Sequence, residues 1–433
     1  MDKSLIDDVG TEIFALAVKI FPICRSITGD GVRQTLREVA AHIALDIHEV
    51  PTGTQVLDWT VPREWNIRDA FIKNARGERI VDFNQSNLHV MGYSVPVRQR
   101  ISLAELKQHV YTLPDQPDLI PYRTSYYAEN WAFCMAHRQL EALPDETYEV
   151  SIDSTLADGH LTYGEFFHQG ESADEFLLSA HICHPSLAND NCSGIALLTQ
   201  LAKRISTMRT RYSYRFLFAP GTIGAITWLA RNEDKVDRIK HGLVVSMVGD
   251  PRGPTYKRSR RGDSEIDRTM IHALRHAGLS PTIEAFSPYG YDERQYCSPG
   301  FNLPVGLFQR SKFGAIPQYH TSADNLDFIS PDVLGQSYRL IETAIGAIEA
   351  NGTYCNMFPK GEPQLGRRGL YGAIGGDKDA AAANMAMLWI LNLSDGSHSL
   401  LDIAERADLP FAVVQRTTKV LEDKGLLEPL REA

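Results

Sequence analysis

The sequence 176-FLLSAHICHP-185 decides the fold, because it begins as an apolar run of buried-strand length and ends with two histidines. It is followed by 188-ANDNCSG-194 and then by a helical pattern from Ile195 to Ile205. A buried strand that leads into a helix is the unit from which parallel sheets are built. Open sheets of this kind place their sites at the carboxyl ends of the strands. The stretch therefore predicts both a sheet and the edge at which chemistry takes place.

The same alternation continues downstream of this stretch. We expect strands at Tyr214–Ala219, Gly242–Val248 and Leu303–Phe308, and helices at Ile223–Ala230, Thr269–Ala277 and Pro331–Glu349. Strands that alternate with helices predict an α/β fold with a mostly parallel central sheet covered on both faces. We assign residues 1–47 and 144–355 to this main domain.

Two regions depart from the alternating pattern. Residues 48–143 contain frequent prolines and short alternating stretches such as 55-QVLDWTV-61, which favour a β-rich small domain inserted into the main one. Residues 366–433 contain three helical patterns and a short final strand pattern, after a linker rich in glycine and proline. This order is typical of a winged-helix domain.

Charge and hydropathy limit the classes of partner. The chain of 433 residues has a formal net charge of -10, which opposes non-specific nucleic-acid binding. The expected DNA-reading helix, Phe411–Lys424, carries both signs of charge, whereas a DNA reader presents a basic face. We therefore expect the winged helix to make protein contacts, and the chain to form a homo-oligomer. Acidic residues at the N-terminus and the lack of an apolar run of about 18 residues predict a cytoplasmic protein without a membrane partner.

Three residues form a candidate metal site at the predicted sheet edge. His181 ends the first strand, and Asp190 lies on the loop that follows it. His320, in 318-QYHTSAD-324, follows the strand expected at Leu303–Phe308 and can reach the same edge. Zinc takes imidazole nitrogen and carboxylate oxygen, and a catalytic zinc keeps one position open for water. The alternative is a hydrogen-bonded histidine at a strand end and an aspartate that caps a helix.

The loop 190-DNCSG-194 and the later pair His320-Thr321 resemble the motifs of the two-zinc aminopeptidases. The chain is most similar to a bacterial group of aminopeptidase-like proteins of unknown function, with a zinc-aminopeptidase or glutaminyl-cyclase-like fold. Those proteins have an inserted small domain and a C-terminal winged helix, and some are labelled polysaccharide-biosynthesis proteins. The resemblance implies a three-layer fold of the phosphorylase/hydrolase-like type. It also implies that His181, Asp190 and His320 are the retained metal ligands. It extends to residues 25–29, 121–127, 256–261 and 292–297, and so to nearly the whole chain.

The sequence also departs from the aminopeptidase pattern at several positions. Cys183 stands where the family has an aspartate two residues after the first histidine. Gly221 and Thr222 align with a glutamate pair that supplies the general base and a zinc ligand, and Ser246 with a metal-binding aspartate. Two ligands are therefore missing, and we expect one zinc ion rather than a pair. A general base contributes about 10²–10⁴-fold in rate, which glycine cannot supply.

Other side chains are candidates for the missing roles. Glu293 and Asp292 are the leading candidates for catalytic groups, with Asp324 or His184 as further substitutes for the base. Lys257 and Arg260, in the basic run 257-KRSRR-261, and the earlier Arg25 are candidates for binding an anionic substrate group, because arginine pairs bidentately with carboxylate or phosphate. The alternative for the basic run is a solvated loop.

Three functions compete on this basis. The first is a zinc-dependent hydrolase that cleaves an amide or peptide bond of a small aminoacyl or amidated substrate, either a small molecule or a short peptide. The second is a catalytically degenerate relative that binds a ligand without turnover, which Gly221 favours. The third and least favoured is a DNA-binding regulator.

Overall fold

A computed structural model describes residues 3–370 and 378–430. The chain divides into two compact units, the first of residues 1–262 and 282–338 and the second of residues 263–281 and 339–433. No helix within those described ranges has the length and apolar character needed to cross a membrane. The helices are α1 (Lys3–Ile20), α2 (Asp30–Ala40), α3 (Leu103–Leu106), α4 (His137–Glu141), α5 (Gly194–Ile205), α6 (Ile223–Arg231), α7 (Glu265–Arg275), α8 (Glu293–Tyr296), α9 (Pro331–Ala350), α10 (Lys378–Leu393), α11 (Leu400–Ala407) and α12 (Phe411–Asp423). The strands are β1 (Asp46–Pro51), β2 (Gln55–Val56), β3 (Trp59–Thr60), β4 (Glu64–Lys73), β5 (Arg79–Asp82), β6 (Val97–Ser102), β7 (Val110–Tyr111), β8 (Phe133–Cys134), β9 (Thr147–Ala157), β10 (His160–His168), β11 (Glu175–His181), β12 (Ser213–Ala219), β13 (Ile239–Val245), β14 (Thr255–Lys257), β15 (Thr282–Glu284), β16 (Val305–Gln309), β17 (Thr353–Asn356), β18 (Asp395–Ser399) and β19 (Leu427–Pro429).

The central sheet of the first unit has eight strands in the order β1-β10-β12-β11-β13-β16-β14-β15. Its four middle strands, β12, β11, β13 and β16, run parallel. Beyond them, the β1–β10, β10–β12 and β14–β16 pairs are antiparallel. Every residue of β11 and β12 is buried, which is the burial pattern of strands covered on both faces. The expected α/β architecture is confirmed, and four of the seven strand pairings in this sheet are parallel, three at its centre and the β14–β15 pair at its edge.

The register of the central strands brings their carboxyl ends to one edge. His181, the last residue of β11, lies opposite Ala219, the last residue of β12. On the other side β13 ends at Val245, which lies opposite Phe308 of β16. The loops that follow all four strands therefore begin at the same edge, where a site is expected in this class of sheet.

A second sheet in the first unit has the antiparallel order β5-β4-β9-β6. It encloses its own apolar core, which includes Ile72, Phe133 and Val150. Its central strand β9 lies after residue 143, and β1 belongs to the main sheet. Residues 48–143 were predicted to be β-rich, and they contribute three of the four strands of this sheet. The fourth strand, β9, comes from residues 147–157, and its alternate side chains are buried in the same core.

The second unit contains the winged-helix elements. Helices α10, α11 and α12 pack around a core that includes Ile390, Leu401 and Leu421. Strands β18, β17 and β19 form its small sheet, so a strand before residue 366 contributes to it. Arg268 of α7 forms ion pairs with Asp402 and Glu405 of α11 in the same unit. Residues 371–377 and 431–433 of the predicted domain lie outside the described residues.

Candidate metal centre and its cavity

Three histidines and one aspartate meet at the carboxyl edge of the central sheet. His181 Nε2 lies 2.8 Å from Asp190 Oδ1, and His320 Nε2 lies 3.2 Å from Asp190 Oδ2. The ring of His184 lies 4.9 Å from that of His181 and 5.1 Å from that of His320, centroid to centroid. Potential ligand atoms of His181, His184 and Asp190 all lie within 4.8 Å of one another. The structure thus brings the three ligands predicted from sequence together and adds His184 to them.

Two buried atoms of this cluster have no hydrogen-bond partner. They are Asp190 Oδ2 and His320 Nε2, which face each other. Leaving buried polar atoms unpaired costs roughly 1–3 kcal/mol each, unless a cation or water satisfies them. Imidazole nitrogen and carboxylate oxygen are the donor atoms that zinc prefers. The residues present therefore fit a zinc ion.

The pKa shifts of His181, His184 and Asp190 favour metal binding. Burial lowers the pKa of His181, and it lowers the pKa of His184 well below the ordinary value. Burial alone would raise the pKa of Asp190, but the neighbouring histidines and the hydrogen bond from His181 hold it well below the ordinary value. Neutral imidazoles and an ionised carboxylate are the forms in which these side chains coordinate a metal.

The loop that carries Asp190 is held by two other aspartates. The Asp324 carboxylate accepts the backbone N–H of Asn189 at 2.6 Å and that of Asp190 at 3.0 Å. The Asn189 amide donates to Asp250 Oδ2 at 3.0 Å. Burial, reinforced by the charge of Asp190, raises the pKa of Asp324 to about 8. Asp324, considered above as a substitute base, therefore positions the loop through its backbone.

Arg25 has its donors directed at the backbone behind the cluster. Its guanidinium donates to the carbonyl oxygens of His184 at 2.7 Å, Ile20 at 2.5 Å and Pro185 at 3.1 Å, and the residue is buried. Sequence reasoning proposed it for an anionic substrate. The structure instead gives it the task of fixing the loop after β11, because carbonyl oxygens occupy its planar fork of donors.

Lys257 and Glu293, proposed for substrate binding and catalysis, pair with each other in the interior. Both are buried, and Lys257 Nζ also donates to the carbonyl of Tyr289 at 2.8 Å. The Glu293 carboxylate accepts the backbone N–H of Tyr291, with Oε2 at 3.0 Å. Each charged group is thus satisfied within the fold, and neither lines the cavity beside the histidines. This pair fixes the segment that carries Tyr291.

The remaining proposed residues also have local partners. Asp292 is buried and accepts the N–H of Thr222 at 2.7 Å, and burial raises its pKa to about 7. It stands behind Thr222, away from the cavity wall. Arg260 is exposed and donates to the side chain of Asn302 at 3.0 Å. The structure brings neither residue to the cavity.

Tyr291, which sequence reasoning missed, occupies the space next to Gly221. A Cβ atom at Gly221 would lie 2.1 Å from Tyr291 Oη, closer than real Cβ contacts. The Tyr291 ring lies 3.7 Å from the His181 ring between centroids, and its Oη is 3.3 Å from Cys183 Sγ. A tyrosine therefore fills the space beside Gly221, the position that the sequence comparison above aligned with a glutamate. Nothing in the local sequence pattern identifies it, because the contact joins loops 70 positions apart in the chain.

A cavity of about 370 Å³ opens beside His184 and His320. Tryptophan and tyrosine contribute five of its thirteen described lining residues, and Gly221, Thr222 and Cys183 also belong to the wall. Among the lining residues that the structure describes, Arg123 is the only lysine or arginine. The described lining residues are Ile27, Trp59, Tyr122, Arg123, Thr124, Tyr126, Tyr127, Cys183, His184, Gly221, Thr222, Tyr291 and His320.

Comparisons with known proteins agree with this architecture. Residues 14–351 match a family described as a domain of unknown function, DUF4910, and residues 352–429 match a winged helix-turn-helix family. A Clostridium acetobutylicum protein, named for polysaccharide biosynthesis and an aminopeptidase-like domain, is 52% identical over 421 residues, which are 97% of each chain.

Solved structures show the same fold. A crystal structure described as that of a peptidase from Clostridium acetobutylicum has a TM-score of 0.94 at 49% identity and covers 99% of this chain and 98% of its own. A zinc aminopeptidase from Bacillus subtilis has a TM-score of 0.57 at 14% identity, over 78% of this chain and 94% of its own. At that identity the likeness shows the fold alone. The chain belongs to the DUF4910 family of aminopeptidase-like proteins that carry a C-terminal winged helix.

Proposed function

We propose that this protein is a zinc-dependent hydrolase that cleaves an amide or peptide bond in a small substrate. The observation that carries the proposal is the pair of unpartnered atoms, Asp190 Oδ2 and His320 Nε2, which face each other beside His181. The aminopeptidase-like fold supports a hydrolase-like activity, and the cavity leads to the same cluster. The name of the Clostridium relative is consistent with a substrate from polysaccharide biosynthesis.

Each residue of the cluster has a role in this proposal. His181, Asp190 and His320 hold one zinc ion, which when bound would polarise the substrate carbonyl and lower the pKa of water. His184 lies on the cavity wall as a neutral imidazole, the form that accepts a proton from attacking water. In the overall reaction the C–N bond breaks, the water oxygen joins the acyl carbon, and the protons pass to the departing amine.

Elemental analysis of the untreated protein tests the metal assignment. We expect about one zinc per chain, and we expect His320→Gln to lose it. His184→Gln separates the two roles of that residue, because a proton acceptor can be removed with the zinc retained. Untreated protein without stoichiometric metal would remove the hydrolase proposal. Loss of zinc from His184→Gln would make His184 a ligand instead.

A second function, ligand binding without turnover, is favoured by Gly221. No carboxylate lines the described cavity wall where the aminopeptidases have their base, and Tyr291 fills that space. A panel of aminoacyl and amidated compounds, incubated with the zinc-loaded protein, separates the two functions. Binding of a compound that is recovered intact supports the binding protein, whereas release of an amine supports the hydrolase.

We further propose that the protein is cytoplasmic and that its winged helix makes protein contacts within a homo-oligomer. On α12 the exposed Arg416 and Lys419 are accompanied by the exposed Asp423, which is not the basic face of a DNA reader. We expect no shift of duplex DNA at low salt, where electrostatic binding is strongest. Sedimentation of the full chain, compared with a chain truncated after residue 351, tests the oligomer.

A further inference from the structure

We propose that the cavity selects an amide substrate that has no free α-amino group and that carries a ring and an anionic group. This inference rests on the proposed hydrolase function and concerns the substrate of the same site. It separates this protein from enzymes that recognise the charged amino terminus of a peptide. Three features of the cavity carry it: the missing carboxylate, the unpaired arginine and the exposed aromatic rings.

The described cavity wall contains no aspartate or glutamate. An α-ammonium group that enters a cavity needs an anionic partner, because a buried unpaired charge is strongly unfavourable. Nearby carboxyl groups already have other partners: Asp292 accepts from Thr222, Glu293 pairs with Lys257, and Asp324 accepts from Asn189. Asp190 itself faces His181 and His320. A substrate with a neutral acylated nitrogen avoids this penalty.

Arg123 favours a negatively charged group on the substrate. Its side chain is exposed, and within the described residues no carboxylate forms an ion pair with it. Its guanidinium lies over the Tyr111 ring, 6.0 Å from the ring centroid. A guanidinium with free donors binds a carboxylate or phosphate through two parallel hydrogen bonds. Arg123 therefore favours a substrate with an anionic group at the cavity mouth.

Two exposed aromatic rings lie at the same mouth. Trp59, on the β2–β3 hairpin, is 39% exposed, and Tyr127 is 54% exposed. Their ring centroids are 5.7 Å apart and their planes are tilted by 58°. Aromatic faces left in contact with solvent beside a polar group are suited to packing against a ring of the ligand. The volume of about 370 Å³ fits a small molecule rather than a folded chain.

Binding of three small amides to the zinc-loaded full-length protein tests the inference by calorimetry. Hippurate has an aryl ring, N-acetylmuramate has a sugar ring, and both combine a neutral amide with a carboxylate. Phenylalaninamide has the ring but a free ammonium group and no anion. We expect at least one of the two anionic amides to bind about tenfold more tightly than phenylalaninamide, as for one charge-assisted contact. The tighter of the two identifies the kind of ring.

The variant Arg123→Gln assigns the preference to this residue. We expect it to weaken the preferred anionic amide about tenfold and to leave phenylalaninamide unchanged. Arg260→Gln is the matched control, because Arg260 is also exposed but lies away from the cavity, and it should change neither affinity. Tighter binding of phenylalaninamide, or an unchanged preference in Arg123→Gln, would overturn the inference.

Product analysis on the same samples keeps this inference distinct from the hydrolase proposal. Hydrolysis would give benzoate and glycine from hippurate, or acetate and muramate from N-acetylmuramate. An anionic amide that binds through Arg123 and is recovered intact counts against the hydrolase proposal and in favour of the binding protein, and it supports the selectivity inferred here. If phenylalaninamide is hydrolysed in preference to the anionic amides, the hydrolase proposal is supported and the inferred substrate selectivity is overturned.

Discussion

The histidine–aspartate cluster and the Lys257–Glu293 pair are both buried groups of ionisable residues close to Tyr291, yet they differ in one respect. Lys257 and Glu293 satisfy each other and nearby backbone groups. In the cluster, Asp190 Oδ2 and His320 Nε2 face each other without a hydrogen bond. Both groups contain buried charged side chains, so burial and charge alone do not distinguish a binding site from an ion pair that stabilises the fold. The cluster differs because two of its unpartnered atoms belong to potential metal ligands and face each other, an arrangement that a bound cation would satisfy.

The largest expected effect is the loss of metal from the cluster. Asp190→Asn keeps the shape of the side chain but removes the charge shared by His181 and His320. We expect zinc affinity to fall at least about 100-fold, since even outer-shell partners of a metal ligand contribute 10–100-fold. Competition with a chromophoric chelator measures it. Asp292→Asn is the control, because that buried carboxyl lies off the cavity and should keep its zinc.

The Lys257–Glu293 pair should respond in the opposite way. Lys257→Met leaves the Glu293 carboxylate buried without its cation, and we expect the free energy of unfolding to drop by about 3–5 kcal/mol. Urea denaturation measures this loss, and zinc content should stay unchanged. The double variant Lys257→Met/Glu293→Gln should lose less, since no isolated charge remains. Loss of zinc in the folded single variant would contradict the contrast drawn above.

A buried histidine outside both groups tests the role of burial itself. Burial, with the charge of Arg211 as the second cause, lowers the pKa of His241 to about 4. In the unfolded chain the same histidine has a pKa near 6.5 and is therefore protonated between pH 4 and 6.5, where the folded chain keeps it neutral. The contribution of this group to the free energy of unfolding is therefore complete above pH 6.5 and is lost as the pH falls towards 4. The contribution is up to about 3 kcal/mol. Urea midpoints measured across this window should vary less in His241→Phe.

The smallest effect is expected at Arg260. Its side chain is exposed and donates a hydrogen bond to the side chain of Asn302. Arg260→Ala should change the free energy of unfolding by less than about 0.5 kcal/mol and leave zinc content unchanged. A larger loss, measured by urea denaturation, would show that exposed members of the basic run also support the fold.

The sequence predicted the central sheet well because its strands are fully buried. The apolar runs at 176–180 and 214–219 lie within β11 and β12, and the helices after them begin within one residue of the predicted positions. The antiparallel edges were not predicted, since strands such as β14 and β15 have three residues each and carry little periodicity. Strand β9 joins the second sheet through partners distant in sequence, which a local pattern does not show.

For the site, the sequence predicted three of the side chains that meet at the sheet edge but not the residues that hold them in place. His181, Asp190 and His320 follow strand ends, and topology brings strand ends together. Charged residues such as Arg25, Lys257 and Glu293 were expected to face substrate, but their partners are backbone carbonyls or each other. Tyr291 was missed because its role depends on the empty position at Gly221, a contact visible only in three dimensions.

The phenol ring beside Gly221 has a consequence for how this fold could be re-engineered. Any side chain introduced at Gly221 collides first with Tyr291 Oη, so Gly221→Glu alone produces an overpacked protein rather than a peptidase. Tyr291 must shrink before a carboxylate can enter. A carboxylate at position 221 therefore requires a second change, at Tyr291, before it can reach the cavity.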